Sequence, residues 1–178
     1  MERVVVLGPG GAGKTHVALA LARATGSPVV HLDRLFWRPG WELAPEEESR
    51  PAVAEAVAAD RWILDGNFLG LGADDPRFAR ADTIVFLDLP RVLCVRRALV
   101  RVVRERGRRR RDLPEGCDER VDLPFLRWIW RYPRDVRPRV LAILAGMPPE
   151  VEVVHLRTRT AVRSYLRSLS QQSTQRGS

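Results

Sequence analysis

Five short apolar runs recur along the chain, each followed by a polar or amphipathic stretch of helical length. Arg3–Leu7, Pro28–Leu32, Arg61–Asp65, Thr83–Leu89 and Val151–Leu156 carry Val, Ile or Leu on consecutive rather than alternating positions. Such runs suit strands of a parallel sheet buried on both faces. The stretches between and after them predict helices over Lys14–Thr25, Pro45–Ala59, Pro90–Glu105, about Glu119–Gly146 and Thr158–Leu169. Pro45 and Pro90 suit a first helical turn, where no amide donor is needed, and Glu46, Glu47 and Glu48 suit the positive end of a helix. Pro124, Pro133 and Pro138 predict that the fourth helical stretch divides into two or three pieces. The polar segment Ser170–Ser178 has no apolar pattern and is expected to be a disordered tail. Strand and helix alternate as in an α/β domain, expected over residues 1–169.

The junction of the first strand and first helix reads Gly8-Pro9-Gly10-Gly11-Ala12-Gly13-Lys14-Thr15. This is Gly-x-x-x-x-Gly-Lys-Thr in the strand-to-helix context that a phosphate-binding loop requires. The glycines let successive amides turn inward, and the helix N-terminus adds partial positive charge at the same spot. Lys14 is then expected to reach the outer phosphates of a nucleoside triphosphate, with the Thr15 hydroxyl on Mg²⁺. Gly8 to Thr15 are therefore the expected cofactor-binding residues, and Lys14 a catalytic one.

Charge sharpens this picture. Of the 30 basic residues Lys14 is the sole lysine, and the net charge is +8. Residues 91–139 hold sixteen arginines against seven acids, which more than accounts for the excess. Such a block attracts phosphate, and the guanidinium fork can bind its oxygens in pairs. A hydrophobic content of 45% excludes wholesale disorder. No apolar run approaches the roughly 20 residues of a membrane span, and no cleavable leader pattern is seen, so a cytoplasmic protein is expected. Cys94 and Cys117 make neither a disulfide framework nor a Cys-x-x-Cys site, and His16, His31 and His155 lack metal-ligand spacing.

Two acids end predicted strands. Asp65, in Trp62-Ile63-Leu64-Asp65-Gly66-Asn67, can hold Mg²⁺ through water or simply make an Asp-Gly turn. Asp33, in His31-Leu32-Asp33, can accept a proton from a substrate hydroxyl or cap the next turn. In a parallel sheet both would face the crevice at the strand carboxyl ends.

With these motifs the chain resembles the nucleoside monophosphate kinase group of P-loop proteins, relatives of adenylate and shikimate kinases. It is similar, more closely, to the small bacterial adenylate-kinase-like topology modulation proteins of the FlaR type. The resemblance rests on Gly8–Thr15, on His31-Leu32-Asp33 with Phe36-Trp37-Arg38-Pro39-Gly40-Trp41, and on Trp62–Asn67. It continues through Phe86-Leu87-Asp88-Leu89-Pro90-Arg91, Gly116-Cys117-Asp118-Glu119-Arg120 and Phe125-Leu126-Arg127-Trp128-Ile129-Trp130-Arg131. It implies a P-loop NTPase fold: a five-stranded parallel sheet of order 2-3-1-4-5, helices on both faces, and an arginine-rich lid at about residues 104–120. It also implies an acceptor-binding region at about residues 33–60, Mg²⁺ at Asp65, and two lid-entry arginines, Arg97 and Arg101. The first would pack on adenine and the second contact phosphate, with Arg108-Arg109-Arg110-Arg111 as the lid itself.

Departures from adenylate kinases argue against AMP as acceptor. Asn67 and Phe68 follow Asp65-Gly66 where Phe-Pro-Arg is usual, and His31-Leu32-Asp33-Arg34 replaces Thr-Gly-Asp-x-x-Arg. Asp33 looks more like the hydroxyl-binding acid of shikimate and gluconate kinases. Trp37 and Trp41 can wall a ring-bearing acceptor or pack a short domain. The expected function is ATP- and Mg²⁺-dependent phosphoryl transfer to a small molecule, with Lys14, Asp33, Arg97 and Arg101 as catalytic residues. Two alternatives remain open: an NTP-dependent nucleic-acid-binding protein, with Trp128, Trp130 and Tyr132 interleaved among Arg127, Arg131 and Arg134 as a stacking platform, and a plain NTPase or nucleotide sensor.

Overall fold

The first strand, β1 (Arg3–Leu7), lies at the centre of the sheet. The computed structural model describes residues 1–69, 75–105 and 123–176. After β1 come α1 (Lys14–Thr25), β2 (Val29–His31), the one-turn α2 (Asp33–Phe36), and the hairpin strands β3 (Trp37–Arg38) and β4 (Glu42–Leu43). Next are α3 (Glu46–Ala56), β5 (Trp62–Asp65), α4 (Pro76–Arg80), β6 (Thr83–Leu87) and α5 (Arg91–Glu105). The chain closes with α6 (Leu123–Asp135), α7 (Arg137–Ala145), β7 (Glu152–Leu156) and α8 (Arg159–Arg176). Five parallel strands stand in the order β2-β5-β1-β6-β7, as the resemblance implies.

The consecutive apolar residues of β1 serve two cores. Val4 and Val6 point to one face, with Val17, Leu21, Ala98, Ile129 and Leu169 from α1, α5, α6 and α8. Val5 and Leu7 point to the other, with Phe36, Val53, Tyr132 and Val140. Burying each large apolar side chain contributes about 1.5–3 kcal/mol, so helices must cover both faces.

The structure departs from the expected elements in its short extra elements and in the end of α8, and it divides the fourth helical stretch as expected. α2, the β3–β4 hairpin and α4 are additional, each too short to impress a period on the sequence. The fourth helical stretch divides once among the described residues, at Val136. Pro138 sits in the first turn of α7, while Pro133 is carried inside the last turn of α6. α8 runs on to Arg176 instead of ending at Leu169. Adding residues to a formed helix is far easier than nucleating one, and Gln and Arg are ordinary helix formers.

Two acids tie the sheet at opposite ends. Asp82 accepts from the backbone amides of Glu2 (2.8 Å) and Arg3 (2.9 Å). Asp88 accepts from Arg137 Nε and Nη2, both at 2.8 Å, and lies 2.9 Å from His155 Nε2. Burial alone would raise the Asp88 carboxyl, but the bonds from Arg137 and His155 outweigh it and hold it below the ordinary range. The folded carboxyl is thus the stronger acid. Its contribution is complete above the unfolded value near pH 4 and is lost as pH falls through the folded one. Asp88→Asn is expected to lower stability at pH 7 by about 1–3 kcal/mol and to flatten the acid limb of melting temperature against pH. A limb unchanged from wild type would refute this role.

Candidate active site

Gly8–Thr15 joins the carboxyl end of β1 to α1, with Gly13 as the N-cap in the left-handed region at φ 98°. Lys14 opens the helix and folds its ammonium back onto the loop, donating to the carbonyls of Gly8 (2.9 Å) and Pro9 (3.2 Å). Thr15 beside it is half-buried. Two later helices clasp the loop. A Cβ on Gly11, at φ 77°, would lie 2.2 Å from the Cys94 carbonyl oxygen of α5. A Cβ on Gly10 would lie 2.5 Å from the Phe125 ring of α6. Gly11→Ala therefore adds a backbone clash to left-handed strain, whereas Gly13→Ala, with open space around it, incurs strain alone. Strain of this kind is about 1–3 kcal/mol. By calorimetry Gly11→Ala should melt below wild type and below Gly13→Ala; equal melting of the two variants would contradict the clasp.

The carboxylates follow from strand register. β2 and β5 pair His31 with Asp65, and the His31 Nδ1 lies 3.0 Å from Asp65 Oδ2. Asp65 is 6% exposed. The next amide in the chain, that of Leu32, donates to the Asp65 carbonyl (2.9 Å), which sets α2 so that Asp33 opens it at the surface. Burial lowers the Lys14 ammonium below its ordinary value, Asp65 and then Asp33 act in the opposite sense, and Arg101 adds to the lowering. Lys14 thus feels Asp65, Asp33 and Arg101 together. The neighbouring Cys94 thiol is pushed up to about 11 by burial, against Arg97 and Lys14, so it stays a protonated packing group.

Arg97 reaches the loop directly, its Nη1 donating to the Ala12 carbonyl (3.2 Å). It shares a cavity of about 340 Å³ with Arg96, Arg101 and Arg104 of α5 and Arg159 of α8, floored by Leu93 and Val100. The sequence reading singled out Arg97 and Arg101. The spacing of Arg104 by one further turn was the available sign of a continuing face; nothing local marked Arg159. Arg108–Arg111 and Gly116–Arg120, most of the expected lid, lie outside the described residues.

Asn67, one of the departures from the adenylate kinase pattern, ties the phosphate loop to α6. Its Oδ1 accepts from the Gly8 amide (3.3 Å) and from the Tyr132 hydroxyl of α6 (3.1 Å). Tyr132 is 2% exposed. This removes Tyr132 from the expected stacking platform, while Trp128 and Trp130 are exposed. Tyr132 is interior, Trp128 sets its ring edge-on to Tyr132, and Trp130 lies under the Arg91 guanidinium at 4.1 Å. Among the described residues no three His, Cys, Asp or Glu side chains gather as a metal cage. No described helix is long and apolar enough to cross a membrane.

The comparisons with known proteins accord with this architecture. Residues 1–69 match the family model described as isopentenyl transferase. The chain is similar to a tRNA dimethylallyltransferase of Anaeromyxobacter sp. strain K, 38% identical over 79 residues, 44% of this chain and 25% of that protein. The match thus spans about a quarter of that relative's length. Among solved structures, the shikimate kinase of Bacteroides thetaiotaomicron has a TM-score of 0.57 at 17% identity, covering 96% of this chain and 97% of that one. A gluconokinase of Sinorhizobium meliloti has a TM-score of 0.53 at 19% identity, covering 98% and 94%. At such identity the likeness is one of fold, and the chain has the P-loop, kinase-like fold.

Proposed function

We propose that the chain is an ATP-dependent, Mg²⁺-assisted phosphotransferase whose small-molecule acceptor sits at Asp33. The observation that carries this reading is the Lys14 ammonium seated on the loop carbonyls, with Asp65 ending the strand beside β1 and Arg97 reaching the loop from α5. Loop amides and Lys14 hold the phosphates of the donor. Thr15 and Asp65 would hold Mg²⁺, and two protein oxygens suit a cation that keeps its remaining places for water and phosphate. When bound, it neutralises charge between the β- and γ-phosphates. Arg97 serves the nucleoside side, and Arg101 the phosphates. The acceptor oxygen forms a bond to the γ-phosphorus and gives its proton to Asp33. The bond from that phosphorus to the bridging oxygen breaks, and ADP leaves with the electron pair. Within this reading residues 1–169 form one adenylate-kinase-like domain, with residues 33–60 on the acceptor and 104–120 as lid. A kinship with FlaR-type proteins belongs to the same proposal.

A second reading is favoured by the isopentenyl transferase match over residues 1–69. The loop would then hold the diphosphate of dimethylallyl diphosphate. A nucleophile on tRNA would bond to the allylic carbon and lose its proton to Asp33 as the carbon–oxygen bond to diphosphate breaks. The arginines of α5, beyond the matched residues, suit either ligand, and the kinase-like fold over the whole chain is what favours the first reading.

Separate incubations with Mg²⁺ and γ-labelled ATP, and with dimethylallyl diphosphate, distinguish the two. Acceptors should include nucleosides, nucleotides, sugars, hydroxy acids and tRNA. Label passing from ATP to a small molecule is expected. Dimethylallyl tRNA with no phosphorylated acceptor would install the second reading, and ATP hydrolysis alone would leave an NTPase.

A further inference from the structure

Two large aromatic side chains follow Asp33 on the β3–β4 hairpin. Trp37 and Trp41 lie across the β3–β4 hairpin, ring centroids 5.7 Å apart and edge to face. Both are half-buried, yet neither joins the two core clusters. The hairpin is fixed beneath them. Phe36 is buried and stacks on Phe68 at 3.7 Å, and the Ala44 amide closes the hairpin base onto the Phe36 carbonyl (2.9 Å). Arg38 pairs with Glu48 of α3.

Two features tie the rings to the acceptor carboxylate. The Trp37 amide donates to the Asp33 carbonyl, completing one helical turn. Trp37 itself is extended (φ −112°, ψ 134°), so the chain leaves α2 there and carries the indole onto β3, one turn along from Asp33. Trp41 has φ 66°, alone among non-glycine residues in the left-handed region within the described residues. A bulky side chain held there is strained, a condition that gathers at ligand clamps. Packing alone would be served by glycine at that turn and a smaller apolar residue on the strand.

We propose that Trp37 and Trp41 form a stacking platform for a planar heteroaromatic ring of the acceptor, so that the acceptor class is a nucleobase-bearing small molecule rather than a sugar or hydroxy acid. The proposal rests on the placing of the acceptor at Asp33. The ring lies against the indoles and the reacting group of the same molecule lies at the carboxylate. An aromatic platform accepts every base, because each has a π face, so ring size and polar edges are read elsewhere.

The test is tryptophan emission of the full chain, saturated with Mg²⁺ and a non-hydrolysable ATP analogue so that the donor site is filled, and titrated with adenosine. Equilibrium dialysis first measures analogue binding. Adenosine should quench emission, while inositol, with hydroxyls but no planar ring, should not. Trp37→Leu and Trp41→Gly should each weaken adenosine binding by about 5–150-fold, the range of a lost base–aromatic stack. Trp41→Gly should melt at or above wild type, because the strain is gone. Quenching that survives both substitutions, equal quenching by inositol, or a lower melting temperature for Trp41→Gly overturns the platform. If the analogue binds and adenosine does not quench, the platform alone falls. If the analogue does not bind, the donor reading falls and takes the platform with it.

Discussion

Alanine in place of Lys14 is expected to reduce phosphoryl transfer by about 10²–10³-fold, the usual loss when one preorganised charge or donor is removed from a reacting centre. Melting temperature should stay within a few degrees of wild type. The two effects separate because Lys14 is a poor contributor to folding: burial lowers its ammonium, so the folded state disfavours the charged form. Its two bonds to the Gly8 and Pro9 carbonyls offset part of that penalty. Lys14→Arg is the sharper test. Arginine fills every other basic position in this chain, so composition would tolerate it. A planar fork cannot occupy the seat of a compact ammonium between two loop carbonyls, and the rate should fall nearly as far as with alanine. Initial rates with labelled ATP, beside thermal melts, check both. Full activity in Lys14→Arg would remove the lysine from the mechanism. The lowered ammonium also implies that the alkaline fall in rate begins below the pH at which an ordinary lysine deprotonates.

The largest expected loss of stability comes from Arg77→Leu. Arg77 is fully buried and Asp75 is 3% exposed. The Arg77 Nε lies 2.9 and 3.1 Å from the two Asp75 oxygens, and Nη2 donates to the Phe68 carbonyl. Removing the guanidinium leaves Asp75 charged in the interior. Breaking a buried pair in this way typically costs about 3–5 kcal/mol. Asp75→Leu together with Arg77→Leu should recover most of that, because neither charge remains to be desolvated. Recovery should fall short by about 1 kcal/mol, since Asp75 also caps α4 through the Arg77 amide (3.1 Å). Urea denaturation of the three proteins measures this. A single variant within 1 kcal/mol of wild type would mean that Asp75 finds water or another partner.

These cases show what a one-dimensional reading can and cannot carry. The phosphate loop was legible because its chemistry demands glycines and lysine at fixed spacing beside a strand. The place of Asp65 was legible because a parallel sheet presents its strand ends on one edge, whereas Asp33 opens α2 and does not end the strand before it. The strand order came from family resemblance; no periodicity contains it. Arg77 was illegible because a buried arginine carries the same letter as the exposed ones. The Tyr132–Asn67 bond joins residues far apart in sequence, and one long-range hydrogen bond leaves no spacing to find. For Tyr132 the alternation of aromatic and basic letters leaves surface and core both open, and the helix turns it inward.

The central position of β1 has a consequence for biosynthesis. Val4 pairs with Ile63 on one side and Thr83 on the other, so β1 cannot be paired on both sides until about eighty further residues have been synthesised. The shape of the adjoining loop depends further on Cys94 and Phe125. A nascent or truncated chain ending at residue 69 would hold every letter of the phosphate motif but lack β6, α5 and α6. The region matched by the isopentenyl transferase model is therefore a sequence unit and not a folding unit. Contacts of such long sequence separation form slowly, and nucleotide present during synthesis has no completed loop to meet until α6 arrives.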